Sequence, residues 1–258
     1  MADKIIAIIQ ARISSARLPG KVLLRLADRS VLEHVVMRVQ EAKKISNVVV
    51  ATSVKKDDEK IEGICKEIGV SVFRGSEEDV LDRFYHAALP LRPDHIVRIT
   101  ADCPMMDPDI IDNIIERHIG SGSDYTCNVI EPTYPDGEDV EVFKMSALEQ
   151  AWGKAKLTSE REHVTPYIRN NPQIFKLLNV RCITDLSKKR WTLDEERDYR
   201  FLKIIFDSLY SSNRIFRMDD VLRFLEANPG LEEINSDILR NEGYLKSLRD
   251  DENKVVRG

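Results

Sequence analysis

Between residues 4 and 27 lie five cationic side chains, Lys4, Arg12, Arg17, Lys21 and Arg25, and no acidic one. The chain as a whole has a formal net charge of −5, so this concentration is local, and most of it follows directly on the apolar run KIIAIIQ at residues 4 to 10. Arg offers forked donors to phosphate oxygens, Lys a compact charge, and Gly20 lets the backbone approach closely. Arg12, Ser15, Arg17, Gly20 and Lys21 therefore suit a polyphosphate. The spacing is not a Walker A loop, which needs Gly where Ser15 stands and Ser or Thr where Val22 stands, and no G-x-G-x-x-G is present. A plain solvated basic loop is the competing reading, and the lack of any acid in the segment weakens it.

A polyphosphate site also calls for carboxylates that could hold a divalent cation. In RITADCPMMD, Asp102 lies just past the end of an apolar run, where a magnesium ion gripping substrate phosphates could use one or two protein carboxylates. Asp107, Pro108 and Asp109 have the look of a helix start, with Asp107 as its cap. In KRWTLDEERDYRF, Asp194 ends a short apolar segment and reads either as a cap for residues 195 to 209 or as a second carboxylate ligand. In PDGEDVEVF, Asp139 and Glu141 fall on one face of a strand by the two-residue period. With Asp136 they could accept hydrogen bonds from sugar hydroxyls or form an ordinary polar edge. Of the five histidines, His34, His86 and His118 fall in helical patterns; His163, in SEREHVTPYI, sits beside other candidate groups.

The elements that must position these groups alternate. KIIAIIQ and NVVVAT (47 to 52) are continuous apolar runs of the kind buried on both faces of a parallel sheet, and further strands fit 70 to 73 and 95 to 99. Helical spacing covers 31 to 43, 57 to 68, 78 to 89 and 108 to 118. Such alternation predicts an α/β fold, a mostly parallel doubly wound sheet with helices on both faces and ligands bound beyond the carboxyl ends of its strands. After GSGSD (120 to 124) come an expected strand at 125 to 129, an irregular stretch, helices near 146 to 155 and 160 to 170, and a strand at 174 to 179. Helices around 195 to 209, 218 to 227 and 238 to 249 complete the chain, with a charged tail from Asp250 expected to fray.

At 258 residues, 42% hydrophobic and 32% charged, the composition is that of a water-soluble globular protein, and one main domain is the expectation. Acidic net charge argues against general nucleic-acid binding. No apolar run reaches the ~20 residues that span a bilayer, and the start is strand-like rather than a secretory signal, so a cytoplasmic location is expected. Cys65, Cys103, Cys127 and Cys182 are scattered without a C-x-x-C pair and read as core thiols.

Taken together, AIIQARISSARLPGKVL, with its R-x-x-S-x-R-x-x-x-K spacing, resembles the nucleotide-binding signature of cytidylyltransferases that make CMP-sugars, including CMP-Kdo synthetase and acylneuraminate cytidylyltransferase. The likeness is closer to the SpsF-like branch, a spore coat polysaccharide type. It continues through VLEHVVMRV, VVVAT, GSEEDVLDRFYHA, VRITADCPMMDP, PDGEDVEVF, REHVTPYI and WTLDEERDY, in order over roughly residues 5 to 205.

The resemblance implies a Rossmann-like nucleotidyltransferase domain over residues 1 to 250, using CTP and Mg2+, often dimeric, with a nucleotide-binding half at 1 to 120 and a sugar-binding and dimerisation half at 121 to 250. It implies nucleotide binding by Gln10, Ala11, Arg12, Ser15, Arg17, Lys21, Asp79, Arg83 and Thr100, with Arg12, Arg17 and Lys21 on the phosphates and Asp79 and Arg83 near base and ribose. Arg12, Lys21 and Asp102 would be catalytic, Asp102 and Asp194 would hold the metal, and Asp136, Asp139, Glu141 and His163 would face the sugar acid. Two departures stand out: Gln10 where many relatives have Pro, and TADCP, beginning at Thr100, where Kdo enzymes have QGDEP. The competing expectations are a nucleotide-sugar glycosyltransferase, which would carry a D-x-D motif after a strand, and a non-catalytic nucleotide-binding module.

Overall fold

The computed structural model describes residues 3–211 and 213–257, with side chains through Asn253. In chain order the elements are β1 (Ile5–Gln10), β2 (Arg25–Leu26), β3 (Arg29–Ser30), α1 (Val31–Gln40), β4 (Asn47–Ser53), α2 (Glu59–Glu67), β5 (Ser71–Gly75), α3 (Val80–Ala88), β6 (His95–Thr100) and α4 (Pro108–Ser121). There follow β7 (Tyr125–Cys127), β8 (Glu141–Lys144), α5 (Met145–Lys154), α6 (Thr158–His163), α7 (Pro166–Arg169), β9 (Leu177–Asn179), α8 (Glu196–Leu209), α9 (Met218–Ala227) and α10 (Glu242–Arg257).

Seven strands form one sheet in the order β5-β4-β1-β6-β8-β7-β9. β5, β4, β1 and β6 are parallel, β8 is antiparallel to both neighbours, and β9 is parallel to β7. The chain runs from β1 outward through β4 to β5, then returns to β6 on the other side of β1. The carboxyl ends of β1 and β6 therefore border the crevice where strand order reverses, the usual ligand position in such sheets.

β1 shows why both faces are covered. Ile5, Ala7 and Ile9 pack with α1, α2 and α4 through Val35, Val39, Ile61, Ile110 and Ile114. Ile6 and Ile8 pack on the opposite side with α3, α5 and α7 through Leu81, Phe84, Leu148 and Ile168. A third cluster joins Leu26 and Val31 to α8 and α9 through Trp191, Phe201, Ile205, Phe216 and Leu225. Ser30 caps α1 with a capping box to Glu33, and Asp107 caps α4 as its sequence context predicts.

Several boundaries differ from the sequence expectation. The helix expected over 160 to 170 is broken at Val164, whose φ of 70° lies where β-branched residues are strained. Thr165 N–H bonds back to the His163 carbonyl at 2.8 Å, a positive-φ γ-turn that separates α6 from α7. From Asp250 on, α10 continues as helix as far as Arg257. The buried carboxylate of Asp251 accepts from Thr158 N–H at 2.8 Å and Ser159 N–H at 3.2 Å, which fixes that part of the helix to the start of α6.

Burial lowers the imidazoles of His34, His118 and His163 to about 4, against an ordinary value near 6.5. Between these two values the unfolded chain binds the protons that the folded chain refuses, so stability rises with pH across this window and is lost as pH falls through it. This contribution pulls Tm down from pH 7 to pH 4.5, against the Asp139 carboxyl, which burial raises to about 7 and which pulls the other way. His118→Gln, which removes one of these three imidazoles, should lose less Tm than wild type between pH 7 and pH 4.5, and an equal loss would show that His118 does not take part.

Candidate active site

A cavity of about 530 Å³ opens at the carboxyl ends of β1 and β6. One wall is the loop after β1, and its shape is set by Asp58, whose carboxylate accepts from Ile13 N–H at 2.8 Å and from Ser53 N–H at 3.2 Å. Gly20, at φ 73°, occupies the left-handed region where the chain turns back, and its N–H bonds to the Ile13 carbonyl at 3.0 Å. The loop thereby presents Arg12, Ser15, Arg17 and Lys21 to the cavity, with Gln10, Ala11 and Thr100 at the strand ends and Arg83 from α3.

Lys21 is the centre of the charge arrangement. Its Nζ donates to Asp102 Oδ2 at 2.6 Å and to Asp194 Oδ1 at 2.8 Å. Burial alone would lower the ammonium, but the two carboxylates outweigh it and hold the pKa above the usual Lys range. Burial would raise Asp102; Lys21 and a hydroxyl bond from Thr100 bring it down to about 2, so it is ionised at neutral pH. Arg17 Nη2 meets Asp194 Oδ2 at 2.9 Å, and Arg17 Nη1 meets Glu242 of α10 at 2.6 Å.

Asp194 reaches Asp102 because the segment before α8 is threaded between two loops. Leu193 N–H bonds to the Asp102 carbonyl at 2.8 Å, and Trp191 N–H to the Asp136 carbonyl at 2.6 Å. Of the two roles open to Asp194, the structure does not use the cap. Glu195 caps α8, and Asp198 Oδ2 takes the N–H groups of Asp194 and Glu195 at 2.9 and 3.0 Å. The Asp194 side chain is left to face the cavity.

Two carboxylates that meet one ammonium nitrogen could share a divalent cation together with phosphate oxygens, the ligand set magnesium favours. Among the described residues no group of three or more His, Cys, Asp or Glu could hold a metal by itself. The donor set thus fits a cation brought with a polyphosphate, rather than a resident protein cage. Asp57–Asp58 and Asp219–Asp220 are adjacent pairs without D-x-D spacing, and Asp58 is occupied by Ile13 and Ser53; Asp107 and Asp109 have that spacing after β6, but Asp107 caps α4 and accepts from Met218 N–H at 2.8 Å, and neither lines the cavity.

The structure does not bring all the expected sugar-side groups to the cavity. His163 lines it, with Nε2 3.0 Å from Ser247 Oγ. Asp136 is paired with Arg190 at 2.9 Å and Asp139 with Arg240. Glu141, 4% exposed, pairs with Arg98 and accepts from Tyr125 and Thr165 hydroxyls, each at 2.5 Å. None of these three carboxylates lines the cavity. Asp79 does not line it either: its side chain caps α3 and pairs with Arg161 at 2.5 Å. Arg83 does line it, almost fully buried, with Nη1 on the Ser76 carbonyl at 2.6 Å and Nε without a partner.

Sequence reasoning missed the wall made by α10. Glu242, Gly243, Lys246, Ser247 and Asp250 all border the cavity. Their spacing of one, three and four residues was a readable helical stripe, but it is polar, and a polar stripe near a terminus reads as a solvated face.

A model of the cytidylyltransferase family matches residues 6–242. The chain is 37% identical to the spore coat polysaccharide biosynthesis protein SpsF of Bacillus subtilis over 216 residues, 79% of this chain and 87% of that protein. It is 36% identical to a 3-deoxy-manno-octulosonate cytidylyltransferase of Trichlorobacter lovleyi over 120 residues, 46% of each. A cytidylyltransferase structure from Leptospira borgpetersenii superposes with a TM-score of 0.85 at 34% identity, covering 93% of this chain and all of that one. The fold, the match over residues 6–242 and the likeness to SpsF agree: the chain belongs to the cytidylyltransferase family.

Proposed function

We propose that the protein transfers the cytidylyl group of CTP to a hydroxyl of an acidic sugar or related acceptor, giving a CMP-sugar and pyrophosphate for surface polysaccharide synthesis. The observation that carries this reading is the convergence of Lys21, Asp102 and Asp194 at the crevice bordered by β1 and β6. An acceptor oxygen bonds to the α-phosphorus as the bond to the bridging oxygen breaks and pyrophosphate leaves. Chemistry of this kind rests on positioning and charge neutralisation, and needs no protein nucleophile.

In this reading Arg12, Arg17 and Lys21 gather the phosphates, Ser15 supports their loop, and Gln10, Ala11, Arg83 and Thr100 border the nucleoside. Arg83 lines the cavity, and its Nε is buried without a hydrogen-bond partner. Asp79 contributes indirectly, by capping α3 and so orienting Arg83. Asp102 and Asp194 would hold Mg2+, which when bound neutralises developing phosphate charge. His163 borders the acceptor, while Asp136, Asp139 and Glu141 stiffen the frame through Arg190, Arg240 and Arg98. The enzyme works as a cytoplasmic homodimer; no described helix is long and apolar enough to cross a membrane.

Pyrophosphate release measured with each of the four nucleoside triphosphates against a panel of sugar acids tests the proposal. CTP with one sugar acid should exceed every other pairing by at least tenfold. Equal release with all four nucleotides, or release only with neutral sugars, would overturn it.

A further inference from the structure

α10 brings a stripe of polar side chains to a cavity wall: Glu242, then Lys246 and Ser247 one turn on, then Asp250, with Gly243 beside them. A helix normally buries an apolar stripe, so a polar one facing a cavity asks for a polar ligand. The helix is tied at both ends. Before it, Arg240 pairs with Asp139 and donates to the Tyr134 carbonyl at 3.2 Å; along it, Asp251 holds the first N–H groups of α6. Its first turn reaches the basic loop through Glu242 and Arg17 at 2.6 Å. Its second turn reaches α6, where Ser247 Oγ donates to Glu162 Oε2 at 2.7 Å and lies 3.0 Å from His163 Nε2.

The cations lining the cavity divide by partner. Lys21 and Arg17 are ion-paired to carboxylates, and Arg83 holds the Ser76 carbonyl. The Arg12 and Lys246 side chains form no hydrogen bond or ion pair among the described residues. Arg12 belongs to the phosphate-gathering loop. Lys246 stands on a different wall: Glu242 and Asp250 lie one turn away from it on the same helix and Ser247 is next to it, and Ser247 in turn meets Glu162 and His163 of α6. Carboxylates, a hydroxyl and a neutral imidazole are acceptors and donors for sugar hydroxyls, and one unpaired ammonium among them suits one anionic group.

We infer that the α6–α10 wall is the acceptor subsite and that Lys246 receives the acceptor's anionic group. The ligand is a polyhydroxylated compound bearing a carboxylate, and the specificity for acid over neutral sugar resides in this one side chain. This deepens the cytidylyl-transfer reading, on which it rests for the presence of an acceptor, but its test reads binding rather than turnover.

The full chain is titrated calorimetrically with a panel of sugar acids, including 3-deoxy-manno-octulosonate and N-acetylneuraminate, each beside its neutral methyl ester, and separately with CTP. The wild type should bind at least one acid about tenfold or more tightly than its ester, the range expected for one charged hydrogen bond. Lys246→Met, which keeps the aliphatic stem, should bind acid and ester alike with CTP affinity within twofold of wild type, and Lys246→Arg should restore most of the preference. A preference that survives Lys246→Met, a wild type with no preference, or a CTP affinity that falls with Lys246→Met would each overturn the inference. Pyrophosphate release by the wild type is scored independently, so loss of cytidylyl transfer and loss of the acid preference are separate results.

Discussion

Asp102→Asn is expected to lower pyrophosphate release from CTP by about 10²- to 10³-fold, because it removes one of the two carboxylates that would hold the Mg2+ meeting the developing phosphate charge. Asp102 is held at about 2, so at neutral pH the change removes a full negative charge while almost preserving volume. Lys21 retains Asp194 at 2.8 Å, and the Asp102 carbonyl still accepts from Leu193 N–H. The variant should therefore melt within a few degrees of wild type. Steady-state kinetics and a melting curve on the same preparation check this: near-normal turnover in a well-folded variant would remove Asp102 from the chemistry.

Gly137→Ala is expected to cost about 3 kcal/mol of stability or more, a loss of roughly 6 to 12 °C in Tm for a chain of this size. Gly137 sits at φ 115°, and a Cβ there would lie 2.7 Å from the Trp191 carbonyl carbon, 2.8 Å from Thr192 N and 2.9 Å from Trp191 O. Those atoms are backbone and cannot rotate away. The strain would fall on the segment that delivers Asp194, so turnover should fall with stability. Gly122 provides the control: its φ is 64°, but a Cβ there has nothing within 4 Å, and Gly122→Ala should cost only about 1 kcal/mol. Urea unfolding of both variants separates close approach from backbone conformation. Equal losses would show that the Gly137 contact relaxes freely.

How much of this was legible in the sequence depends on how local the determining signal is. β1 and β4 are continuous apolar runs and β6 a short Ile- and Val-rich one, and each forms a strand at or near its expected position. The basic loop was legible because five cations without an acid between residues 4 and 27 cannot be an average surface. Asp194 was ambiguous because an Asp before a helix usually caps it; Asp198, one turn inside, does much of that work here through the Asp194 and Glu195 N–H groups, which no local pattern announces. The pairing of Asp136 with Arg190 and of Asp139 with Arg240 was also hidden. Those partners are 54 and 101 residues away in sequence, and a two-residue period says which face a carboxylate shares, not which cation will meet it. α10 was the largest omission: its polar stripe resembles a solvated helix until the cavity beside it is seen.

The most direct test of cytidylyl transfer is the fate of label from CTP carrying radiolabelled α-phosphate, incubated with the wild-type protein, Mg2+ and the best sugar acid. The account predicts that label moves into a CMP-sugar in step with unlabelled pyrophosphate, and that Asp102→Asn slows both together. Label that remains in CTP, or that appears only as CDP, would contradict it.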